Sequence, residues 1–392
     1  MTATAPRPPR LDFGVFIAPY HPVGESPLIT FRHDLELIEW CDRLGFDEAW
    51  VGEHHSAAWE NIADPAVFLA AAGQRTERIR LGSGVVSLPY HQPMMVADRF
   101  VQLDYLTNGR SMLGVGPGAL VSDAVMMGIQ PVTQRPRMDE SLGVIIRLLN
   151  GEVVTHVADW FELHEARLQM LPVNGSMPIA VASTTSPAGM VCAGHHGVGV
   201  LSLGAGLIGG KKDLAAQWAL GEKAAAESGH PFDRSGWRLV LRAHLAESRE
   251  EAIAAVRDGR ERERELYYRR VAGMKNDTSL EEEIEQDSSL IGTPEDMIAA
   301  LGRLQESTGG FGGFMVLAND WASRAATLRS YELIARFVMP EVRGQIAPLR
   351  ASYEMVAANK RSYGGPALAA VAKAYEDAGE AMPDGLDPAK LR

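Results

Sequence analysis

The chain has 392 residues, enough for one large domain or two ordinary ones, and is 46% hydrophobic and 22% charged. That balance belongs to a folded globular protein rather than a disordered one. The formal net charge of −12 argues against a nucleic-acid-binding surface, which needs a clustered cationic face. Two cysteines, Cys41 and Cys192, are too few for a disulfide framework or a Cys-rich zinc site. Residues 1–10 are rich in Pro and Arg and lack the apolar core of a secretory signal. No apolar run approaches the roughly 20 residues needed to span a bilayer. We expect a cytoplasmic protein with neither membrane nor nucleic acid among its partners.

Residues 11–17 read as a buried strand, followed by an amphipathic helix over 28–44 that Gly45 ends. Residues 47–52 are a second strand running into Glu53-His54-His55, before a helix over 65–75. The third strand spans 79–87, and its helix over 93–106 starts at a proline. A fourth strand over 110–115 leads into a Gly-rich loop and a helix near 138–149. Residues 152–171 break the alternation with a small β element. Strands over 178–182, 199–202 and 237–246 follow, with helices over 186–193, 211–228 and 249–270. The stretch 274–291, with Glu281, Glu282, Glu283 and Glu285, reads as a solvated helical insertion in preference to a mobile lid. Thr293 caps the next helix, with Pro294 at its first position. Residues 313–317 are the last strand and 322–338 the last helix.

Strand-then-helix units repeated in one direction imply parallel strands. An open doubly wound sheet is the competitor. The absence of Gly-x-Gly-x-x-Gly after the first strand favours a closed (β/α)8 barrel of the TIM type. We expect that barrel over residues 1–340, with insertions near 152–171 and 271–293, and a C-terminal helical extension over 341–392.

Barrel enzymes place their chemistry at the C-terminal ends of the strands. The second strand ends in His54 and His55, and imidazole suits proton transfer near neutral pH; the plainer reading is a pair of hydrogen-bonded rim histidines. The third strand ends in Gly82-Ser-Gly84-Val85-Val86, where glycine allows a flat ligand close to the backbone, or merely a bend. His91 is a further rim imidazole. The fourth ends in Gly114-Val-Gly116-Pro117-Gly118, with Ser122 and Asp123 beyond it; Asp123 serves equally well as a helix cap. The fifth ends in Ser183-Thr184-Thr185-Ser186-Pro187. Hydroxyls ahead of a helix make an anion site, the natural seat of a phosphate, and are also good N-caps. Cys192, His195 and His196 fall together without other spaced ligands, so no metal site is expected. Trp59, Leu88, Tyr90 and Leu203 are candidates for an apolar pocket wall, or for plain core.

Together these motifs resemble one family. Glu53-His54-His55, Leu81-Gly-Ser-Gly-Val-Val-Ser-Leu-Pro89, Asp104-Tyr-Leu-Thr-Asn-Gly-Arg-Ser-Met-Leu-Gly114, Gly292-Thr-Pro294 and Val338-Met-Pro340 are similar, in order, to segments of the bacterial luciferase-like flavin monooxygenases. Residues 59–62, 126–129 and 159–161 look closest to the limonene-monooxygenase-like and diketocamphane-monooxygenase-like branches. The resemblance implies reduced FMN (FMNH2), with FAD left open, delivered by an NAD(P)H-dependent flavin reductase. Dioxygen would form a peroxyflavin that oxygenates a small apolar substrate such as a terpene, cyclic ketone or aldehyde. It implies a catalytic His54 and a cis peptide at Gly84–Val85 supporting the flavin ring. It places phosphate contacts at Ser183 and Thr184, backbone help near Pro117, and Asp123 near the flavin. Luciferases carry Arg in place of Pro117 and Glu in place of Ser183. A homodimer or homotetramer is the implied assembly. The alternatives are a deazaflavin-dependent oxidoreductase on the same barrel, a metal-dependent hydrolase using His54, His55 and His91, and a non-catalytic flavin carrier.

Overall fold

The computed structural model describes residues 10–18, 20–184, 186–203, 213–273 and 278–383. The strands are β1 (Asp12–Ile17), β2 (Glu48–Val51), β3 (Arg80–Ser83), β4 (Val86–Ser87), β5 (Ser111–Gly116), β6 (Val154–Val157), β7 (Glu162–Ala166), β8 (Ile179–Ser183), β9 (Gly199–Ser202), β10 (Trp237–Leu245), β11 (Ser289–Gly292) and β12 (Gly313–Leu317). Among the described residues, β1, β2, β3 with its continuation β4, β5, β8, β9, β10 and β12 pair in that order, all parallel. β12 pairs back onto β1, which closes the barrel. Helices follow the strands because each connection must return to the starting end. The first, α1 (Pro27–Leu44), buries the stripe Leu37, Ile38 and Cys41, and Gly45 ends it in the left-handed region at φ 83.

Three departures from the sequence reading have physical causes. The expected third strand is broken into β3 and β4 by a cis peptide at Gly84–Val85, where the resemblance places one. The expected helix over 249–270 is α-helical only over Arg249–Glu263 and then widens into a π-helical turn, Arg264–Arg269. The acidic stretch 274–291 is not a solvated insertion in its described part. Residues 274–277 lie outside the described residues; beyond them, helix Leu280–Glu285 buries Leu280 and Glu283, and β11 adds to β10 in parallel. Arg260 explains the buried Glu283, since the two form an ion pair on the concealed face. Residues 152–171 do carry an antiparallel hairpin, β6–β7. Thr293 caps the helix Pro294–Thr308 through a reciprocal capping box with Asp296.

The described residues divide into two compact units at Met339/Pro340. The second carries helices Ala347–Ala358 and Lys360–Ala378, the latter with Pro366 inside it. No helix among the described residues is long and apolar enough to cross a membrane.

The N-terminal end of the barrel is closed by charge. Glu48, at the start of β2, is fully buried and accepts two hydrogen bonds from Arg238 of β10, at 2.6 and 2.8 Å. Arg80 of β3 reaches the same carboxylate at 2.6 Å and Asp12 of β1 at 2.6 Å. Burial alone would raise the Glu48 pKa, but Arg238 and then Arg80 hold it below the usual carboxylate value. The Trp50 indole donates to Glu48 at 2.8 Å and lies under the Arg238 guanidinium. Removing one partner of such a pair strands the other, which costs about 3–5 kcal/mol. We predict that Glu48→Ala lowers stability by about that amount in urea unfolding; a loss under about 1 kcal/mol would show that the cluster does not hold the barrel floor.

Candidate active site

With the floor filled, space opens at the other end of the barrel. A cavity of about 320 Å³ lies at the C-terminal ends of the strands, walled by Phe16, Val85, Leu203, Leu317, Tyr267 and Tyr268 and carrying His54 and Glu60. Among the sequence-derived wall candidates only Leu203 lines it. Trp59 is buried against the Tyr267 ring, Leu88 is core, and the Tyr90 hydroxyl accepts from Gln134 at 3.0 Å.

The two histidines after β2 have separate roles. Glu53 is buried and accepts from His55 at 2.9 Å, from His91 at 2.8 Å and from the Ser87 backbone N–H at 3.0 Å. Burial opposes its ionisation, but the His55 and His91 hydrogen bonds outweigh that and bring its pKa down to about 2. Glu53 therefore ties the end of β2 to β4 and the turn after it, with His55 and His91 as its partners. His54 turns the other way, into the cavity. Its Nε2 lies 3.2 Å from Glu60 Oε1 and its Nδ1 3.4 Å from Asp123 Oδ2. Both contacts are ion pairs, and Nδ1 has no hydrogen-bond partner among the described residues. Burial alone would lower the His54 pKa, but the Glu60 carboxylate, with Asp123 behind it, pushes it up to about 10. At neutral pH the ring is an imidazolium. Glu60 in turn accepts from the Tyr267 hydroxyl, and Asp123 from Ser56. Asp123 sits in the first turn of a short helix, Val121–Met126, whose N-cap is Leu120, so it is not the cap. It holds His54 from behind and does not line the cavity.

The other sequence-derived residues gather at the same end. Gly84 and Val85 line the cavity, and a Cβ on Gly84 would meet the Phe16 ring at 2.6 Å. Pro117 lines it as well, its carbonyl accepting from Gln134 at 2.7 Å. Thr184 and Ser186 line it too, and the Ser183 hydroxyl is buried without a hydrogen-bond partner among the described residues. Thr185 lies outside the described residues. Ser186 is not a cap: the helix Ala188–His196 starts at Pro187 with no side-chain cap. Its orphan N–H groups are therefore open to an anion. Gly189 lets that first turn rest on the strand, since a Cβ there would lie 2.4 Å from the Ala182 carbonyl. Elsewhere, Cys192, His196 and Asp139 come together, with His196 Nε2 3.0 Å from Asp139. Burial pushes the Cys192 thiol up, so it stays protonated.

Sequence reasoning missed Glu60, Tyr267 and Arg135. Glu60 left a signal, a carboxylate six residues beyond His54 in the same loop. Tyr267 left none, for it reaches Glu60 across 207 positions. Arg135 is an exposed cation that lines the same cavity as Thr184 and Ser186 and makes no ion pair among the described residues.

Residues 11–310 match the family described as luciferase-like monooxygenase. The chain belongs to that family. It is 48% identical to a 4-hydroxyprotoasukamycin monooxygenase from Streptomyces nodosus subsp. asukaensis, over 90% of this chain and 98% of that protein. It is 44% identical to a limonene 1,2-monooxygenase from Rhodococcus erythropolis, over 90% and 92%. Among solved structures, it is similar to the oxygenating constituent of 3,6-diketocamphane monooxygenase from Pseudomonas putida, a type II Baeyer–Villiger monooxygenase in complex with FMN. That likeness has a TM-score of 0.73 at 27% identity, over 85% of this chain and 99% of the other. The luciferase-like barrel and the monooxygenase class thus agree with the motif reading.

A folded-state pKa above the ordinary imidazole value means that His54 contributes stability below about pH 6.5. The contribution is lost as pH rises through about 10. We predict that Glu60→Gln lowers the His54 titration midpoint, read by NMR of the ring protons; an unmoved midpoint would show that Glu60 does not hold the imidazolium.

Proposed function

We propose that this chain is the oxygenating component of a two-component monooxygenase. It would receive reduced FMN from a separate NAD(P)H-dependent flavin reductase and oxygenate a small, largely apolar substrate. The observation carrying this reading is one cavity whose lining combines an apolar wall, an imidazolium at His54, and Thr184 and Ser186 at an uncapped helix start. The similarity to an FMN-bound oxygenating constituent supports the same assignment.

The residues fit a flavin phosphate. A buried Ser183 hydroxyl without a partner, the uncapped helix start and the unpaired Arg135 guanidinium all offer donors, and none offers negative charge. Arg135 would supply the cation that luciferases carry at the position of Pro117. Gly84 and Val85 would face the ring system. When bound, the reduced flavin supplies two electrons and activates dioxygen. The protein's part is orientation, dryness and protons. Phe16, Val85, Leu203 and Leu317 exclude water, which protects a reactive intermediate from hydrolysis. Reducing one oxygen atom to water consumes protons, and His54 holds one at the cavity wall. Glu60, ion-paired with His54, and Tyr267, which donates to Glu60, stand behind it. His54 enters as the acid, since its raised pKa keeps it charged at neutral pH.

Titration with FMN, reduced FMN and the reduced deazaflavin coenzyme tests the assignment. Selective binding of reduced FMN, followed on aeration by oxygenation of a terpene or cyclic ketone, is expected. Binding of the deazaflavin alone would replace this reading with the dehydrogenase alternative. Arg135→Ala should weaken FMN about tenfold, the scale of one charge-assisted hydrogen bond, and leave riboflavin, which lacks the phosphate, unchanged. Equal losses for the two would remove Arg135 from the phosphate site.

A further inference from the structure

The cavity has a polar spot of its own, apart from His54. Tyr20, Tyr267 and Tyr268 pack together on one wall, with ring centroids 5.1 Å apart for Tyr20–Tyr267, 6.2 Å for Tyr20–Tyr268 and 5.1 Å for Tyr267–Tyr268. Their hydroxyl protons can be followed one by one. Tyr267 donates to Glu60. Tyr268 receives a hydrogen bond from Arg242 Nη2 at 2.7 Å. A guanidinium has donors and no acceptor, so the direction of that bond is fixed. The Tyr268 hydroxyl in turn donates to the Tyr20 oxygen at 3.1 Å. Tyr20's oxygen is thus an acceptor, and its own proton has no acceptor among the described residues.

Arg242 is set firmly enough to impose this order. It is buried, paired with Glu263 at 2.8 Å and stacked over the Trp321 ring at 4.9 Å. Trp321 donates to the other Glu263 oxygen at 2.8 Å. A hydrogen-bond chain that begins on a cation polarises each later donor in turn. Tyr20 is the end of that chain. It is 7% exposed, so water does little to satisfy its proton, and its ring is part of the cavity wall. A buried donor left unmade is costly, and the missing acceptor is most simply an atom of the ligand.

We propose that the Tyr20 hydroxyl is the polar anchor of the substrate cavity, and that the substrate carries a neutral, hydrogen-bond-accepting oxygen, a ring carbonyl or hydroxyl, on an otherwise apolar skeleton. The inference rests on the oxygenase reading above and narrows it: bare hydrocarbons are the poorer substrates. Neutrality follows from the surroundings. The Arg242 charge is already matched by Glu263, and the Glu60 carboxylate stands behind the same tyrosines, so a substrate anion meets repulsion. A cationic substrate gains nothing from Tyr20, which has a proton to give and an oxygen already engaged. The remaining wall, with Phe16, Val85, Leu203 and Leu317, is apolar and suits the rest of the skeleton.

Limonene and carvone test this, since they share a carbon skeleton and differ by one ring carbonyl. Their kcat/KM values are compared with reduced FMN supplied, in the wild type, Tyr20→Phe and Tyr268→Phe. The wild type should prefer carvone by about tenfold, the scale of one net hydrogen bond. Tyr20→Phe should bring the ratio close to one, and Tyr268→Phe should lower it by a smaller factor, by removing the polarising donor. Calorimetric binding of both compounds to the FMN-loaded protein runs in parallel. It reads the same preference without turnover, so a failure of the oxygenase reading, no product from either, is told apart from a failure of the anchor. Wild-type binding that does not distinguish the two compounds, absence of binding included, overturns the proposal. So does a Tyr20→Phe protein with unchanged melting temperature and FMN affinity that keeps the wild-type ratio.

Discussion

A carboxylate and a guanidinium that meet across the barrel interior set where everything else can happen. Glu48 and Arg238 come from strands 190 positions apart, and each is nearly sealed from water. Neither could remain charged there alone, so β2 and β10 must keep these two side chains facing each other across the barrel. Arg80 and Asp12 complete the cluster from the two strands that flank β2, and Trp50 lies on it as a lid. The barrel is thus filled at its N-terminal end. A ligand-sized space lies where the strands finish, at the end from which loops can present chemistry.

The loops at that end show how one short motif is divided by geometry. In Glu53-His54-His55 the first and third residues hold the framework, and the second faces the cavity. Glu53 gathers His55, His91 and a backbone N–H on one carboxylate, so the ends of β2 and β4 cannot drift apart. That rigidity matters for His54, whose charge depends on two carboxylates at 3.2 and 3.4 Å. Glu60 comes from the same loop, and Asp123 from the far side of the Gly-rich turn after β5. Tyr267, delivered by the π-helical turn after β10, closes the network from a third direction. π-helical turns recur at functional sites because the extra residue redirects side chains, and here the turn brings Tyr267 and Tyr268 to the cavity wall.

The barrel was legible because its signals are local. Each strand is a short apolar run, each helix has its own stop such as Gly45, and the strand ends carry glycine and histidine at adjacent positions. Residues of the cavity that belong to those ends, His54, Gly84, Val85, Pro117 and Thr184, were legible for the same reason. Glu60 and Tyr267 were not, since a hydrogen bond between positions 207 apart leaves no periodicity to read. The acidic stretch misled for a related reason. Four glutamates look solvated in one dimension, but Glu283 is neutralised by Arg260 from a preceding helix, and only the fold reveals the partner. Asp123 was legible as a residue near the site and not as the carboxylate behind His54.

The location of the flavin decides the function, and a crystal structure of the protein soaked with FMN measures it directly. Phosphate density at Ser183 and Thr184 with Arg135 in contact, and the ring system against Val85 within the cavity that His54 faces, is the expected result. A flavin bound outside that cavity, or with its phosphate at any other group of residues, would contradict the account.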